Sequence, residues 1–135
     1  MADTDSITYI AFHTTNDASD FGNTSIATKQ GAACASTVRA VQAHGKSGSG
    51  NEDELEYVTV ASTSDASDFG DQLNSPINFS GCSDGTRGEW WSGTTDGSNA
   101  RNNIFYITIA STGNATDGAD VSDEGWLDNS ATSGT

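Results

Sequence analysis

The sequence predicts an all-β protein made of three consecutive units of about 48 residues. A strand-like segment recurs at residues 104–117, at 55–68 and, in a more divergent copy, at 7–20, so its starts are spaced 48 and 49 residues apart. In each copy apolar residues fall on both faces of a period-2 element, and the connections are rich in Gly, Ser and Asn. The predicted units are residues 7–54, 55–103 and 104–135, the last of them incomplete.

The repeated strand carries apolar side chains on both faces. In the third copy, Phe105, Ile107 and Ile109 point to one side of the strand, whereas Ile104 and Tyr106 point to the other. A sheet with one solvated face would show polar residues at alternate positions. We therefore expect the units to stack face to face, as blades of a ring or layers of a solenoid, because no unit can bury both surfaces alone.

The remaining elements follow the same period. Residues 1–6 are predicted to form a flexible N-terminal arm, and residues 7–135 a single repeat domain. After each strand, Asp and Gly supply side-chain hydrogen bonds and permissive dihedrals, which predicts turns at 18–22 and 66–70. Two further strands are expected in each of the first two units: Gly31–Ser36 and Val38–Gly45, then Phe79–Asp84 and Thr86–Gly93. Small residues in the first strand of each pair predict close approach of backbones.

The composition indicates a thin hydrophobic core. Leu, Ile, Val and Phe together make up 20 of the 135 residues, and the formal net charge is -14. So few large apolar residues combined with so high a net charge are typical of disordered chains, but strands that recur in register argue for a folded chain. Burial of each large side chain stabilises the folded state by about 1.5 to 3 kcal/mol, whereas the loss of chain entropy costs about 1 to 2 kcal/mol for every ordered residue. We therefore expect partner subunits in a homo-oligomer to add the missing burial.

The charge and the hydropathy exclude two classes of partner. Asp and Glu number 19 against five Lys and Arg, so we expect no nucleic acid partner, because phosphate contacts need a basic patch. No apolar run reaches the roughly 18 residues of a membrane-spanning helix, so we expect no membrane insertion. The many carboxylates are expected to form a solvated, mutually repelling surface.

Candidate catalytic and metal-binding residues are few. Cys34 and Cys82 occupy equivalent positions of successive units, where small buried side chains are expected, with a disulfide or a metal pair as alternatives. His13 and His44 occur without a nucleophile motif, and His13 is expected at a strand end. The segment Asn114–Glu124 is rich in oxygen donors that could hold calcium, but it lacks the acid spacing of an EF-hand loop. We expect an acidic loop there, no resident cofactor and no enzymatic activity.

The tryptophans are the candidate binding residues. Trp90 and Trp91 are adjacent, so on a strand they point to opposite faces. One is expected in the core and the other at a neighbouring unit, a partner subunit or a ligand. An aromatic ring can cover the apolar face of a sugar, so both are candidates for carbohydrate binding as well as for assembly. Trp126 and Leu127 complete the predicted assembly interface.

Two strand copies carry a resemblance to a known repeat. Tyr57–Asp71 and Tyr106–Asp117 resemble a kelch-like repeat found in structural proteins of marine tailed bacteriophages, where it recurs in fibre and other virion-surface proteins. The cysteine-bearing strand and the Thr86–Gly88 segment that follows it look like the same unit, so the resemblance covers nearly the whole chain. The segment Trp90–Gly93 departs from the family, which tends to have a Gly-rich strand end there, and the third unit lacks Phe and Gly after Asp117.

The resemblance implies a propeller-blade-like repeat fold. Three units are fewer than the four to eight blades of a closed propeller. Either several subunits share one ring, or the three units pack about a pseudo-threefold axis as a trefoil- or prism-like body. The resemblance further implies a non-enzymatic protein of the virion surface, either a capsid decoration or a tail or fibre component, which contacts its own copies and other virion proteins. A carbohydrate-binding adhesin that recognises a host surface glycan is the alternative function.

Overall fold

The computed structural model describes residues 4 to 91 and 93 to 122, and these residues form ten β-strands and no helix. The all-β prediction is confirmed. The strands are β1 (Thr4–Tyr9), β2 (Ser19–Thr28), β3 (Ala32–Ala35), β4 (Arg39–Ala43), β5 (Glu54–Thr59), β6 (Ser67–Asp71), β7 (Ser80–Ser83), β8 (Arg87–Trp91), β9 (Asn103–Thr108) and β10 (Thr116–Asp120).

The strands form three antiparallel sheets. β1 and β2 make a two-stranded sheet, here called the N-terminal pair. β3 to β6 make the first sheet and β7 to β10 the second sheet, with four strands each in chain order. Because every strand of a four-stranded sheet pairs with its neighbour in sequence, short connections suffice. None of the three sheets described here closes into a barrel.

The two four-stranded sheets share one pairing register at an offset of 48 or 49 residues. Cys34 pairs with Val41 in the first sheet, as Cys82 pairs with Glu89 in the second. Val41 also pairs with Tyr57, as Glu89 pairs with Tyr106. The N-terminal pair repeats the register of β5 and β6, since Tyr9 pairs with Ser19 as Tyr57 pairs with Ser67. Residues 7, 55 and 104 therefore all lie in strands that occupy corresponding positions.

The segments predicted as turns are strands instead. Residues 19–22 belong to β2 and residues 67–70 to β6. Their Asp and Gly residues lie at a β-bulge, where the pairing register shifts, and not in a reverse turn. Gly22 and Gly70 have φ values of 152° and 141°, which explains the glycines.

The first strand is also displaced from its predicted position. The sequence predicts a flexible arm through Ser6, whereas β1 begins at Thr4. β1 ends at Tyr9, so Ile10 and Phe12 follow the strand and are 59% and 86% exposed. Among the described residues, no sheet lies on the far side of the N-terminal pair to cover them.

The first and second sheets pack face to face along β3, β7 and β8. Two glycines allow this close approach, as the small residues of these strands predict. A Cβ at Gly88 would collide with the sulfur of Cys34, and a Cβ at Gly81 would lie 3.1 Å from the Ala33 carbonyl oxygen of the first sheet. The buried apolar side chains form one cluster: Cys34, Val41, Ala43, Leu55, Phe69, Phe79, Trp90, Phe105, Ile107, Ile109 and Ala115.

Candidate functional site

Trp90 and Trp91 lie on opposite faces of β8, as the sequence predicts. Trp90 is fully buried, and its ring stacks on Phe105 with 5.4 Å between ring centroids and 18° between ring planes. Its indole N–H donates to the Ala32 carbonyl oxygen at 3.3 Å, which ties the second sheet to the first. Trp90 is therefore a core residue that joins the sheets, and its burial removes it from the candidate ligand-binding residues.

Trp91 lies on the other face of the second sheet, here called the outer face, with Arg87, Glu89 and Tyr106. Trp91 is half-buried. The Arg87 guanidinium carbon lies 3.5 Å from the centroid of the Tyr106 ring, and Arg87 Nε lies 2.9 Å from Glu89 Oε1. The outer face thus combines two aromatic rings with an ion pair that is partly open to solvent.

The first sheet has a similar Arg–Tyr pair on the face that packs against the second sheet. Arg39 lies over the Tyr57 ring at 4.4 Å, at the positions that correspond to Arg87 and Tyr106. Arg39 Nη1 also donates to the Ile109 carbonyl oxygen at 3.3 Å, and so holds the second sheet against the first. The outer face of the second sheet repeats this Arg–Tyr arrangement. It is therefore the candidate surface for contact with another sheet or a ligand.

A buried polar cluster joins the N-terminal pair to the first sheet. His44 Nε2 lies 2.7 Å from Glu56 Oε2, and His44 Nδ1 lies 2.8 Å from the Thr28 hydroxyl. The Ser25 N–H donates to both oxygens of the Glu56 carboxylate, at 3.2 and 3.1 Å. A hydroxyl, an imidazole and a carboxylate in series can move a proton in enzymes. Here the imidazole is 0% exposed, so a substrate cannot reach it, and the cluster acts as a structural clamp.

The sequence interpretation missed this cluster because it treated His44 as isolated. His44 follows β4 and Glu56 lies in β5, and antiparallel pairing brings them together across 12 residues of sequence. One signal was available. Glu56 occupies the strand position at which the third unit has Phe105, so its carboxylate points into the protein and needs a buried partner.

The two cysteines are free thiols. Cys34 is buried and Cys82 is partly buried, which agrees with the expectation of small packed side chains. Burial, with a smaller contribution from the neighbouring Cys82, raises the pKa of the Cys34 thiol to about 12. Burial also raises the pKa of Cys82, with smaller effects from Glu89 and Asp84. Neither thiol is therefore an activated nucleophile.

The segment considered for calcium contains strand β10 (Thr116–Asp120) where the sequence predicts an acidic loop, and its residues 123 and 124 lie outside the described residues. Asn114 Oδ1, at the start of the segment considered for calcium, accepts the Asp71 N–H at 3.1 Å. Asp96 accepts the backbone N–H groups of Asn99 and Ser98 at 2.8 Å each, and these bonds lower its pKa. Within residues 4–91 and 93–122, no group of three or more His, Cys, Asp or Glu side chains is placed to hold a metal ion.

Of the three remaining predicted residues, the structure describes one. His13 lies in the turn after β1, close to the predicted strand end, with a φ of 70°. Trp126 and Leu127 lie outside the described residues.

The sheets and the outer face define an all-β protein with a half-exposed aromatic and charged surface. The chain matches no protein-family model, and a search of curated proteins finds no match. The part of the chain that the structure describes contains no helix long and apolar enough to cross a membrane.

Proposed function

We propose that this chain is a non-enzymatic structural protein of a marine bacteriophage virion, either a capsid decoration or a tail or fibre component. In this proposal the chain assembles as a homo-oligomer and with other virion proteins on the particle surface. Its sheets act as propeller-blade-like units of a kelch-like repeat. The mechanism is mechanical, because faces and strand edges build the particle while the acidic surface keeps the protein in solution.

The observation that carries the proposal is the common register of the two stacked sheets. Cys34 and Cys82 hold equivalent places in two four-stranded meanders that pack face to face. This arrangement supports a blade-like repeat over a trefoil- or prism-like body, since each sheet is a consecutive meander. A closed propeller has four to eight blades, so further units would complete the ring.

The outer face supports assembly as the role of the chain. Arg87 and Tyr106 repeat the arrangement of Arg39 and Tyr57, which lies between sheets within the chain. In the proposed assembly, a further sheet covers the outer face and accepts a hydrogen bond from Arg87.

The test is to look for the protein in purified particles. Peptides of this chain should be present in density-purified virions from the source culture and resist removal by washing in high salt. The recombinant protein should also show a native mass above that of a single 13.9 kDa chain. Peptides confined to the soluble lysate would overturn the virion assignment, and a monomeric native mass at all concentrations would overturn the homo-oligomer.

A second candidate function is carbohydrate binding at the outer face. Trp91 is half-exposed and shares this face with Tyr106, Arg87 and Glu89, a combination of stacking and hydrogen-bonding groups that suits a sugar. Glycan-array binding that is lost in Trp91→Ala but kept in Val60→Ala, an exposed apolar control, would favour this function. The absence of any glycan signal from the folded wild-type protein would exclude it.

A further inference from the structure

The loop after β5 docks on β2 through three hydrogen bonds to Asn23, one of them from the Asn23 side-chain amide to Asp65 Oδ1 at 3.3 Å. Asp65 Oδ1 accepts the Asn23 N–H at 2.9 Å, and the Ala66 N–H donates to the Asn23 carbonyl oxygen at 2.8 Å. Gly22 precedes Asn23, and a Cβ at Gly22 would collide with the backbone of Ser64 in the loop. We call residues 62–66, and the corresponding residues of the other units, a docking loop. We call the Gly and the Asn or Asp that receive it, here Gly22 and Asn23, its seat.

The loop after β9 docks on β6 in the same way. Asn114 Oδ1 accepts the Asp71 N–H at 3.1 Å, and the Ala115 N–H donates to the Asp71 carbonyl oxygen at 2.7 Å. A Cβ at Gly70 would collide with the Gly113 backbone. The same contact therefore forms twice, 48 or 49 residues apart, and each docking loop occupies the seat of the preceding sheet.

A third docking loop follows β1 and has no seat within the described residues. Its turn contains the same hydrogen bond as the other two, since the Thr14 N–H donates to the Ala11 carbonyl oxygen as Ser62 does to Thr59 and Ser111 to Thr108. His13 has a φ of 70° in this turn, whereas its counterparts Ala61 and Ala110 have no positive φ. Asp17 and Ala18 correspond to the docking residues. Both are exposed, and the Asp17 carboxylate and the Ala18 N–H make no hydrogen bond to the described residues. The two groups that dock in the other loops are thus exposed and have no hydrogen-bond partner among the described residues.

β10 lacks the seat that a docking loop would need. Ala119 stands where β2 and β6 have glycine, and Gly118 stands where they have phenylalanine. Ala119 does not adopt a positive φ, and its strand shifts register between Asp117 and Asp120. At the two occupied seats even one Cβ would meet loop backbone. A second copy of this chain therefore cannot offer β10 to the free docking loop.

We propose that the docking loop at residues 14–18 binds a β-sheet edge on a different polypeptide segment that carries its own seat. The partner strand has a glycine at a φ near that of Gly22 and Gly70, followed by Asn or Asp with a free N–H and carbonyl. Asp17 accepts the N–H of that residue, and the Ala18 N–H donates to its carbonyl oxygen. The stack of sheets then extends at the β1 end through this loop contact, and Ala119 prevents the same loop contact from forming at β10.

The apolar residues beside the loop support a sheet as the partner. Ile10 and Phe12 are 59% and 86% exposed, whereas Ile107 and Ile109, their counterparts in the third unit, are 3% and 1% exposed. In the third unit the covering surface is the first sheet. A partner sheet seated on the free docking loop would cover Ile10 and Phe12 in the same way.

The test is to rebuild a seat on this chain and measure self-association by sedimentation velocity. Ala119 is exposed, so Ala119→Gly should keep the fold, and Gly118→Phe combined with Ala119→Gly copies the β6 seat more closely. Either rebuilt chain should associate head to tail. Adding Asp17→Ala should weaken this association at least about tenfold, because a charge-assisted hydrogen bond is lost. Asn16→Ala, in the same loop, is the matched control and should leave it unchanged.

Three results would overturn the proposal. The first is self-association of the wild-type chain that Asp17→Ala abolishes, since β10 would then be a seat despite Ala119. The second is that both rebuilt chains sediment as the wild type does at concentrations up to about 1 mM, although circular dichroism shows that they are folded. The third is association of the rebuilt chains that Asp17→Ala does not affect. The virion role is tested separately by particle composition, so either idea can fail without the other.

Discussion

The carboxylate of Glu56 lies 2.7 Å from the imidazole of His44, and both side chains are buried. The same carboxylate accepts the Ser25 N–H of β2, so this pair fastens the N-terminal pair to the first sheet. In the second sheet the position of Glu56 belongs to Phe105, which stacks on Trp90. At this strand position, therefore, one sheet junction has a buried polar cluster and the other has a stacked pair of aromatic rings.

Removing the Glu56 carboxylate should destabilise the protein strongly. Glu56→Ala leaves the imidazole and the Ser25 N–H without a buried acceptor, and we expect a loss of about 3 kcal/mol in the free energy of unfolding. Glu56→Gln should cost less, since an amide oxygen can still accept one bond. The control is Glu89→Ala, which breaks a half-exposed ion pair with Arg87 and should cost less than about 1 kcal/mol. Urea unfolding measures all three, and equal losses for Glu56→Ala and Glu89→Ala would contradict the clamp.

Gly70→Ala should release the second docking loop. The new Cβ collides with the Gly113 backbone at a residue with φ 141°, so we expect a loss of about 1 to 3 kcal/mol and faster amide exchange at Ala115. Gly113→Ala places a Cβ at a similar φ but in open space, so it isolates the backbone strain and should cost less. Gly48→Ala, with no neighbour within 4 Å, should be neutral within about 0.5 kcal/mol. Unchanged Ala115 exchange in Gly70→Ala would argue against the seat.

Substitution of the two tryptophans should affect stability to different extents. Trp90→Ala removes a fully buried ring from the joint between the sheets and should cost about 3 to 5 kcal/mol. Trp91→Ala removes a half-buried ring from the outer face and should cost clearly less. Thermal unfolding followed by circular dichroism measures the difference. A Trp91→Ala protein less stable than Trp90→Ala would show that the core has been assigned to the wrong ring.

The thiols should differ in reactivity. Burial raises the pKa of Cys34 to about 12, so the reactive thiolate is scarce at pH 8 and the sulfur is covered. Cys82 is partly buried and should react with iodoacetamide at least about tenfold faster, as measured by peptide mass spectrometry. In denaturant the two rates should converge, which is the internal control. Equal rates in the native protein would show that Cys34 is more accessible than its burial indicates.

The sequence predicted the strands whose signal is local. β5 and β9 have apolar residues at a period of two and begin one residue before the predicted segments, and β3, β4, β7 and β8 follow at the same offset and lie within theirs. It also placed Trp90 and Trp91 on opposite faces, because side chains alternate along any strand. β2, β6 and β10 were predicted as turns or loops, since Asp and Gly favour turns locally and only pairing with a neighbouring strand makes them bulges.

The sequence by itself determined the all-β class, the spacing of about 48 residues and the alternation of side chains, because these depend on composition and local periodicity. Only the tertiary structure decided which side chains meet. Whether His44 finds Glu56, or Asp65 finds Asn23, depends on how sheets pair and stack across tens of residues. The same packing decided that Trp90 is core and that Asp17 is left free, since burial is a property of the neighbours a residue acquires on folding.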